Sequence, residues 1–374
     1  MRTIIHFTTV HPRTDTRIRV KEVATLARVW PGRVALYVQD GRGDEADAGG
    51  GYVIRDTGAP ERGRLRRMTL GAFRMYRAVR RARPKVAHFH DPELLPWAML
   101  LRLSGIRVIY DMHEDAPATV LSKAYLPAVV RGPLAWCLRS LERLAQASLS
   151  EIVAATPAIG QNFADKAVLI QNFPLLDELS FASPSSYDDR PPHFAYIGGI
   201  TSIRSASEMV EAMGRLASPN ARLQLGGTFV PHELEAKVAS LDGWSRVEHH
   251  GWVGREEVRD ILGQVRAGLV LFHPLPNHIR AQPNKLFEYM AAGLPVIASD
   301  FPLWREIVEG AGCGLLVDPQ DPQAIADAMQ WILDHPEEAA AMGRRGRAAV
   351  EERYNWEAES EKLVTLYRRL LPQT

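Results

Sequence analysis

The sequence has little of what marks a secreted or membrane-spanning protein. Its 374 residues include only two cysteines, Cys137 and Cys313. They lie far apart and do not suggest a disulfide framework, which fits a reducing compartment. No apolar run approaches the roughly 20 residues that span a bilayer. The N terminus shows no signal-peptide pattern. We therefore expect a cytoplasmic protein.

Net charge is also nearly absent, at +1, but the positive charge is unevenly spread. Between Arg62 and Lys85 the sequence has ten arginines or lysines and no acidic residue. The apolar content of 46% and charged content of 24% are typical of a soluble globular protein. A chain of this length is too long for one ordinary core, so two domains are expected.

Two basic stretches combine arginines with apolar residues at helical spacing. Leu65 to Arg83 carries Phe73 and Tyr76, and Tyr125 to Leu144 carries Trp136. Basic amphipathic helices suggest peripheral contact with an anionic membrane on the cytoplasmic face. The alternative is that both are ordinary solvated helices whose apolar residues face the core. Nothing in the pattern indicates nucleic-acid binding.

Short apolar strands in the first half run into polar loops. The strand Thr3 to Phe7 leads to a loop with Arg13, Asp15 and Arg17, and no phosphate-binding GxGxxG pattern follows the second strand. Strand–loop–helix repeats predict an α/β fold with parallel sheets, which binds ligands at the carboxyl ends of its strands. The three charged residues are candidates for ligand contact or for charge at a helix start.

Two later strands each deliver an imidazole and a carboxylate to the same edge. Lys85 to Phe89 is followed by His90 and Asp91, and Arg107 to Met112 by His113 and Glu114. A metal site is conceivable on composition alone. We predict none, because neither a helical histidine pair nor cysteine ligands support it.

The second half opens after a linker at residues 182–192, which is rich in proline, serine and aspartate. The strand from Phe194 ends in Gly198 and Gly199, where backbone can approach a ligand closely. Arg204 follows with a charge that matches phosphate geometry. The pattern therefore indicates an anion-binding loop.

The stretch from Asn284 to Gly293 predicts a helix with Lys285 and Glu288 on one face and an apolar stripe on another. A helix N terminus that carries a lysine suits an anion, and phosphate is the usual one. The alternative is a solvated lysine–glutamate pair one turn apart. A buried parallel strand, Val296 to Ser299, follows directly.

The run PNKLFEYMAAGLPVIASD, residues 283–300, resembles the donor-site signature of glycosyltransferase family 4, whose members are retaining enzymes. The resemblance extends from the first strand to the final helix. It implies a GT-B fold, with two facing Rossmann-like domains, parallel sheets and a central cleft. Residues 1–175 would form the acceptor domain, with helix 357–374 packing back on it. Residues 176–356 would form the nucleotide-sugar donor domain.

The resemblance also implies roles for individual residues. The catalytic residues would be His113, Arg204, Lys285 and Glu288. The donor would be bound by Gly198, Gly199, Trp252, Val253, Arg280, Asn284 and Leu286. The acceptor would be bound by Arg13, Asp15, His90, Asp91 and Glu114.

This sequence departs from the family pattern at two places. Most members have a glutamate eight residues before Glu288, where this chain has Arg280. An arginine cannot accept a hydrogen bond from a sugar hydroxyl, although it can pair with a carboxylate. An acidic donor sugar and a solvent-facing Arg280 both remain open. The first of two expected cations near Gly198 is also missing, and Lys285 is the candidate replacement.

The implied reaction is transfer of a sugar from a nucleotide diphosphate donor to a hydroxyl of a glycan or lipid-linked saccharide, with retention. UDP is favoured as the nucleotide and GDP is possible. No cofactor and no metal are expected. The pathway would be surface polysaccharide or glycoconjugate biosynthesis. The alternatives are a sugar-nucleotide 2-epimerase of the same fold and a non-catalytic scaffold that binds a sugar nucleotide.

Overall fold

The computed structural model describes residues 3–46, 50–122, 126–163, 166–176 and 187–371. Residues 182–186 of the predicted linker lie outside these ranges. The chain forms two compact units. Unit 1 comprises Met1–Asn172 and Trp356–Thr374, and unit 2 comprises Phe173–Asn355. No helix among the described residues is long and apolar enough to cross a bilayer.

Unit 1 is built on a parallel sheet of seven strands within the described residues, in the order β3-β2-β1-β4-β5-β6-β7. The strands are β1 Ile4–Phe7, β2 Val34–Val38, β3 Tyr52–Asp56, β4 Val86–Phe89, β5 Arg107–Met112, β6 Glu151–Ala154 and β7 Ala167–Leu169. In register, Ile4 pairs with Val34 on one side and Val86 on the other. The order reverses at β1, so the loops after β1 and β4 border the switch point where such sheets bind ligands.

The helices of unit 1 cover both faces of this sheet. A π-helical segment Thr16–Val23 runs into α1, and the basic stretch Arg64–Ala82 is helical throughout with a π-helical part at Arg67–Gly71. The helices are α1 Ala24–Val29, α2 Arg64–Arg66, α3 Ala72–Ala82, α4 Leu95–Leu103, α5 Ala116–Ser122, α6 Ala128–Ser148, α7 Pro157–Gly160 and, at the end of the chain, α16 Trp356–Leu370.

Unit 2 repeats this arrangement with six parallel strands among its described residues, in the order β10-β9-β8-β11-β12-β13. The strands are β8 His193–Ile197, β9 Arg222–Gly226, β10 Val247–Gly251, β11 Ala267–Val270, β12 Val296–Ser299 and β13 Gly314–Val317. The helices are α8 Ala206–Arg215, α9 Glu233–Ala239, α10 Arg255–Leu262, α11 Pro276–Ile279, α12 Asn284–Ala291, α13 Pro302–Ala311, α14 Pro322–Asp334 and α15 Pro336–Glu352. The prediction of two α/β domains with parallel sheets is confirmed.

Helix α12 is fixed to the sheet of unit 2 by Tyr289. The Tyr289 side chain is buried, and its hydroxyl accepts a hydrogen bond from the Ile197 amide at 2.9 Å. Its ring covers Gly268 on β11, where an added Cβ would lie 2.2 Å from the ring. Gly268 therefore lets α12 pack closely against β11. Pro283 lies directly before the first residue of α12.

We predict that Gly268→Ala lowers the free energy of unfolding by about 1–3 kcal/mol, because overpacking a close contact forces the ring and the backbone apart. Denaturant titration of the purified protein measures the change. Gly310→Ala is the matched control, since Gly310 lies in α13 and has open space around it. The control should be neutral or stabilising by up to about 1 kcal/mol. Equal effects of the two substitutions would contradict the packing argument.

Candidate active site

The loop after β8 brings two glycines and an arginine together at the carboxyl edge of the unit 2 sheet. Gly198 has a backbone φ of 130°, a conformation that residues other than glycine rarely adopt. The Tyr196 hydroxyl donates to the Gly199 carbonyl at 2.9 Å, and Arg204 Nη1 donates to the same oxygen at 3.1 Å. These bonds fix the loop and leave part of the half-buried guanidinium for a ligand.

Lys285, in the first turn of α12, reaches this loop. Its Nζ lies 3.7 Å from the centroid of the Tyr196 ring, and an added Cβ at Gly198 would lie 3.1 Å from Nζ. The side chain is only 9% exposed, and Nζ has no hydrogen-bond acceptor among the described residues. Tyr196 therefore offers the ammonium the face of a ring but no oxygen.

The electrostatics of Lys285 are those of a cation that lacks its anion. Burial lowers the pKa of Lys285 well below its usual value, and the neighbouring Arg204 charge lowers it further, while Glu288 opposes the shift. Burial also raises the pKa of Tyr196 to about 12, so this hydroxyl stays protonated at neutral pH. A phosphate placed here would accept hydrogen bonds from Lys285 and Arg204 and reverse the unfavourable charge.

The other predicted donor residues on α12 differ in how far their side chains are buried. Glu288 is half-buried one turn after Lys285, whereas Asn284 is exposed at the start of the helix. The Leu286 side chain is fully buried in the apolar core, and its amide already donates to the Pro283 carbonyl at 3.1 Å. The structure therefore does not place the Leu286 side chain beside Lys285 and Arg204, where the donor is predicted to bind.

Two further donor candidates lie on loops. Trp252, directly after β10, is 78% exposed, and Val253 is half-buried beside Gly226. Arg280 is exposed at the end of the short helix α11. An exposed indole offers a flat apolar surface for a nucleotide base. The role of each of these three residues stays a prediction.

In unit 1, the carboxyl ends of β4 and β5 gather imidazoles around one carboxylate. Asp111 Oδ2 lies 2.8 Å from His113 Nε2 and 3.1 Å from His90 Nδ1. Arg17 contacts the same carboxylate through Nη2 at 2.7 Å and Nε at 3.0 Å. Burial alone would raise the pKa of Asp111, but Arg17 and then the histidines hold it well below its usual value. Asp111 is therefore a buried, ionised anchor for His113.

Asp91 forms a second buried carboxylate site at the same edge. Its Oδ2 accepts from the Thr9 amide at 2.6 Å and from the Thr8 hydroxyl at 2.8 Å, and its Oδ1 lies 2.9 Å from His11 Nδ1. Burial opposes ionisation, but the bonds from His11 and the loop amide lower the pKa of Asp91 overall. Asp91 thus holds the loop after β1 in place and keeps His11 beside His113, with ring centroids 5.0 Å apart.

The remaining predicted acceptor residues have contacts of their own. The buried Arg13 pairs with Asp40 and Glu45 at 2.6 Å each, and donates to the Gly43 carbonyl at 2.9 Å. Asp15 accepts from the Ile18 amide at 2.9 Å, at the start of the π-helical segment. Glu114 is exposed and accepts from Thr119 at 3.3 Å. These contacts account for Arg13 and Asp15 as loop and helix anchors, and their role with an acceptor stays a prediction.

Four buried groups in unit 1 could together hold a metal ion. The ligand atoms of Glu22, His88, His90 and Asp111 lie within 4.8 Å of one another. Arg17 lies among them, with Nε 3.1 Å from Glu22 Oε1 in addition to its bonds with Asp111. The guanidinium therefore already supplies the cation that the carboxylates need. Burial and the Asp111 charge raise the pKa of Glu22 well above its usual value, which leaves one ionised carboxylate opposite Arg17.

Sequence reasoning missed Asp111, Glu22 and Tyr367 as members of the unit 1 group. One available signal was the alternation of β strands, because residues two apart share a face. His88 with His90, and Asp111 with His113, are such pairs, with the first of each inside a strand and the second directly after it. Nothing local predicts Tyr367, which comes from α16 and lies 279 positions after His88.

Two family models match the chain, one in each unit. Residues 22–170 match the model described as Glycosyltransferase Family 4. Residues 191–335 match the model described as Glycosyl transferases group 1. Among curated proteins, the D-rhamnosyltransferase WbpZ of Pseudomonas aeruginosa is 26% identical over 294 residues, which are 75% of this chain and 72% of that protein.

Solved structures show the same architecture. Sucrose-phosphate synthase from Thermosynechococcus elongatus has a TM-score of 0.80 with this chain at 20% identity, and 99% of both chains is covered. HepE from Anabaena, solved in complex with UDP, has a TM-score of 0.73 at 13% identity, with 99% of this chain and 100% of that chain covered. At these identities the likeness establishes the fold, which is GT-B, and the predicted fold class is confirmed.

We predict that Arg17→Met destabilises the protein by about 3–5 kcal/mol, because it leaves the buried Asp111 carboxylate without its counter-charge. The free energy of unfolding from denaturant titration is the measurement. Arg28→Met is the control, since Arg28 is exposed on α1 and surface substitutions stay within about 0.5 kcal/mol. A loss below about 1 kcal/mol for Arg17→Met would mean that Asp111 is neutral or hydrated in the folded protein.

Proposed function

Because this chain belongs to glycosyltransferase family 4, we propose that it transfers a sugar from a nucleotide diphosphate sugar to a hydroxyl of a glycan or lipid-linked saccharide, with retention of anomeric configuration. That the chain is a glycosyltransferase follows from its family models and relatives. The donor, the acceptor and the stereochemistry are our proposal. The observation that carries the donor assignment is the buried ammonium of Lys285, which has no hydrogen-bond acceptor in the part of the chain that the structure describes.

Unit 2 has the groups that a diphosphate requires. As the bond between sugar and phosphate breaks, negative charge collects on the departing nucleotide diphosphate. Lys285, Arg204 and the N terminus of α12 would stabilise that charge, and most strongly in the transition state. Because these groups belong to the chain itself, the proposed reaction needs neither a metal nor another cofactor. Glu288, half-buried in the same helix, is the proposed acceptor of hydrogen bonds from donor hydroxyls.

For the nucleotide we favour UDP over GDP. The support is the UDP that is bound in the HepE structure of the same fold. Trp252 would stack on the base, which alone does not distinguish a pyrimidine from a purine. The sugar stays open, because the exposed Arg280 is compatible with either an acidic or a neutral donor. Surface polysaccharide or glycoconjugate synthesis is the proposed context.

A sugar-nucleotide 2-epimerase and a non-catalytic binding protein are the alternatives. The three are separated by what happens to a labelled donor. A transferase gives product only with an acceptor, an epimerase converts the donor alone, and a binding protein leaves it intact.

We predict that UDP raises the melting temperature of the protein more than UMP does, and that uridine has little effect, because Lys285 needs a phosphate oxygen. Lys285→Met should weaken UDP binding by roughly 1.5–3 kcal/mol, the value of a charge-assisted hydrogen bond, and should reduce the preference for UDP over uridine by the same amount. Melting curves at several ligand concentrations give the affinity by mass action.

Three controls complete this experiment. Lys237→Met removes an exposed lysine of α9 in the same unit and should leave UDP affinity unchanged. GDP measured in parallel tests the choice of base. A chelator should not reduce turnover. If turnover is lost with a chelator and returns with magnesium or manganese, the metal-free mechanism is refuted. Unaltered UDP affinity in Lys285→Met would refute the donor site.

We also propose that unit 1 docks on an anionic membrane through the outer surface of α3, α4 and α6. Residues of all three helices pack on one core cluster of the sheet, and α4 contacts both α3 and α6. Their outer surface exposes large apolar side chains among the arginines. These are Leu65, Met68, Leu70, Phe73, Leu100, Leu103, Val129, Trp136 and Leu144, counting the residues of α2 and its π-helical extension. Apolar residues beside basic ones suit an interface with anionic lipid.

We predict that the protein sediments with vesicles that contain anionic lipid, and that high salt reduces the bound fraction. Replacing Leu65 and Trp136 by serine should lower the partition coefficient at least about tenfold, because each buried large apolar side chain is worth about 1.5–3 kcal/mol. Val29→Ser is the control, since Val29 is exposed on α1, outside that core cluster. Binding that ignores lipid charge, salt and both serine substitutions would count decisively against the docking surface.

A further inference from the structure

A continuous chain of hydrogen bonds links the last helix of unit 1 to His113. It passes through side chains that are buried, apart from the half-buried His113. In order, the contacts are His88 Nδ1 to the Tyr367 hydroxyl at 2.8 Å, that hydroxyl to His6 Nε2 at 3.0 Å, His6 Nδ1 to His90 Nε2 at 3.1 Å, His90 Nδ1 to Asp111 Oδ2 at 3.1 Å, and Asp111 Oδ2 to His113 Nε2 at 2.8 Å.

Asp111 determines the direction of this chain at one end. Its carboxylate is ionised opposite Arg17 and can only accept hydrogen bonds. The two imidazole nitrogens within 3.1 Å of its Oδ2 must therefore both carry hydrogen. This assigns His90 as the Nδ1–H form and His113 as the Nε2–H form. The short contact between His90 Nδ1 and His113 Nε2, 3.3 Å, is then two donors that share one acceptor.

The forms of His90 and His113 determine the position of the hydrogen on every other ring, as far as His88. Burial lowers the pKa of His90 to about 4 and those of His6 and His88 well below the usual value, so all three rings are neutral. His90 Nε2 is then a lone pair that accepts from His6 Nδ1–H. His6 Nε2 in turn accepts the Tyr367 proton, and the Tyr367 oxygen accepts from His88 Nδ1–H.

One nitrogen remains, and it supports the assignment. His88 Nε2 is buried and has no hydrogen-bond partner among the described residues. In this arrangement it carries no hydrogen, so what stays unsatisfied is a lone pair and not a buried N–H donor. Each donor in the chain thus has an acceptor, and reversal of any single imidazole would place two donors or two lone pairs together.

We propose that Asp111 fixes His113 in the Nε2–H form, with Nδ1 as an acceptor for a substrate hydroxyl, and that Tyr367 is a positioning residue that acts on His113 through His6, His90 and Asp111. His113 Nδ1 has no hydrogen-bond partner among the described residues, and the side chain is 21% exposed. A nitrogen that only accepts cannot bind a phosphate oxygen, which also only accepts. The ligand class is therefore a hydroxyl. The hydroxyl rests on the proposed sugar transfer, whereas the tautomers do not.

The first test is nitrogen NMR of the full chain with ¹⁵N-labelled histidine, near neutral pH. Each of the four rings is assigned by the signal that its single His→Gln variant loses. We expect protonated Nδ1 in His6, His88 and His90, and protonated Nε2 in His113. A charged His113, a protonated Nδ1 in His113, or a protonated Nε2 in His6 or His90 would each overturn the proposal, whether or not the protein transfers a sugar.

The second test is Tyr367→Phe, which removes one hydroxyl from the middle of the chain. His88 Nδ1 then has no hydrogen-bond partner among the described residues, so we expect the His88 nitrogen shifts to move towards the average of two tautomers. His6 keeps its bond to His90, and His90 and His113 keep theirs to Asp111, so these three rings should keep their tautomers. Tyr76→Phe is the matched control, because Tyr76 is a buried tyrosine of α3 for whose hydroxyl the structure shows no hydrogen bond to a described residue. It should leave every imidazole signal in place.

Kinetics then separate positioning from a merely structural role. If a sugar is transferred, Tyr367→Phe should lower kcat severalfold while KM for the donor stays within twofold, because the hydroxyl acts through His113 and not on the donor phosphates. A variant that only lowers the melting temperature, with unchanged tautomers and unchanged kcat, would refute the role of Tyr367. Absence of any turnover would refute the proposed function and leave the NMR result to decide the chain.

Discussion

The constraint on which both units depend is the burial of positive charge at the carboxyl edge of a parallel sheet. Arg17 in unit 1 and Lys285 in unit 2 are each less than a tenth exposed. A buried charge without a partner costs several kcal/mol, so each must be compensated by the chain, a ligand or loss of its proton. The two units meet this requirement in different ways, and the difference separates structural charge from functional charge.

Arg17 is compensated within the chain. Two of its nitrogens bond Asp111, a third contact reaches Glu22, and Nη2 also donates to the Ile170 carbonyl at 3.0 Å. Lys285 has instead the ring of Tyr196 and a second cation, Arg204, close enough to lower its pKa. A site that places a second cation beside a buried ammonium, with no hydrogen-bond acceptor for that ammonium among the described residues, is arranged for an anion from outside. This contrast, and not the presence of a lysine in a motif, supports the donor assignment.

The sequence was sufficient for the periodic parts of the fold and for the residues next to glycines. Strands such as Val296–Ser299 and the helix at Asn284–Ala291 were predictable, because buried parallel strands and amphipathic helices leave local patterns. Strand β3, Tyr52–Asp56, was not identified, because five residues beside a glycine-rich loop carry little periodicity. The bidentate pair of Arg17 and Asp111 spans 94 positions, and no local pattern reports such a distance.

Helix α16 shows why the last residues of the chain bear on the chemistry of the first unit. Trp356 is buried and donates through Nε1 to the Thr25 hydroxyl at 3.0 Å, and Glu359 accepts from the Gln171 amide at 2.9 Å. These two contacts fix the start of the helix, so that Tyr367, three turns later, lies between His6 and His88 at hydrogen-bonding distance from both. The buried histidines have no other hydroxyl in this chain of bonds. The helix therefore completes the polar core of unit 1 as well as its apolar core. Without it, His88 would have no hydrogen-bond partner among the described residues to fix its tautomer, whereas Asp111 would still fix those of His90 and His113.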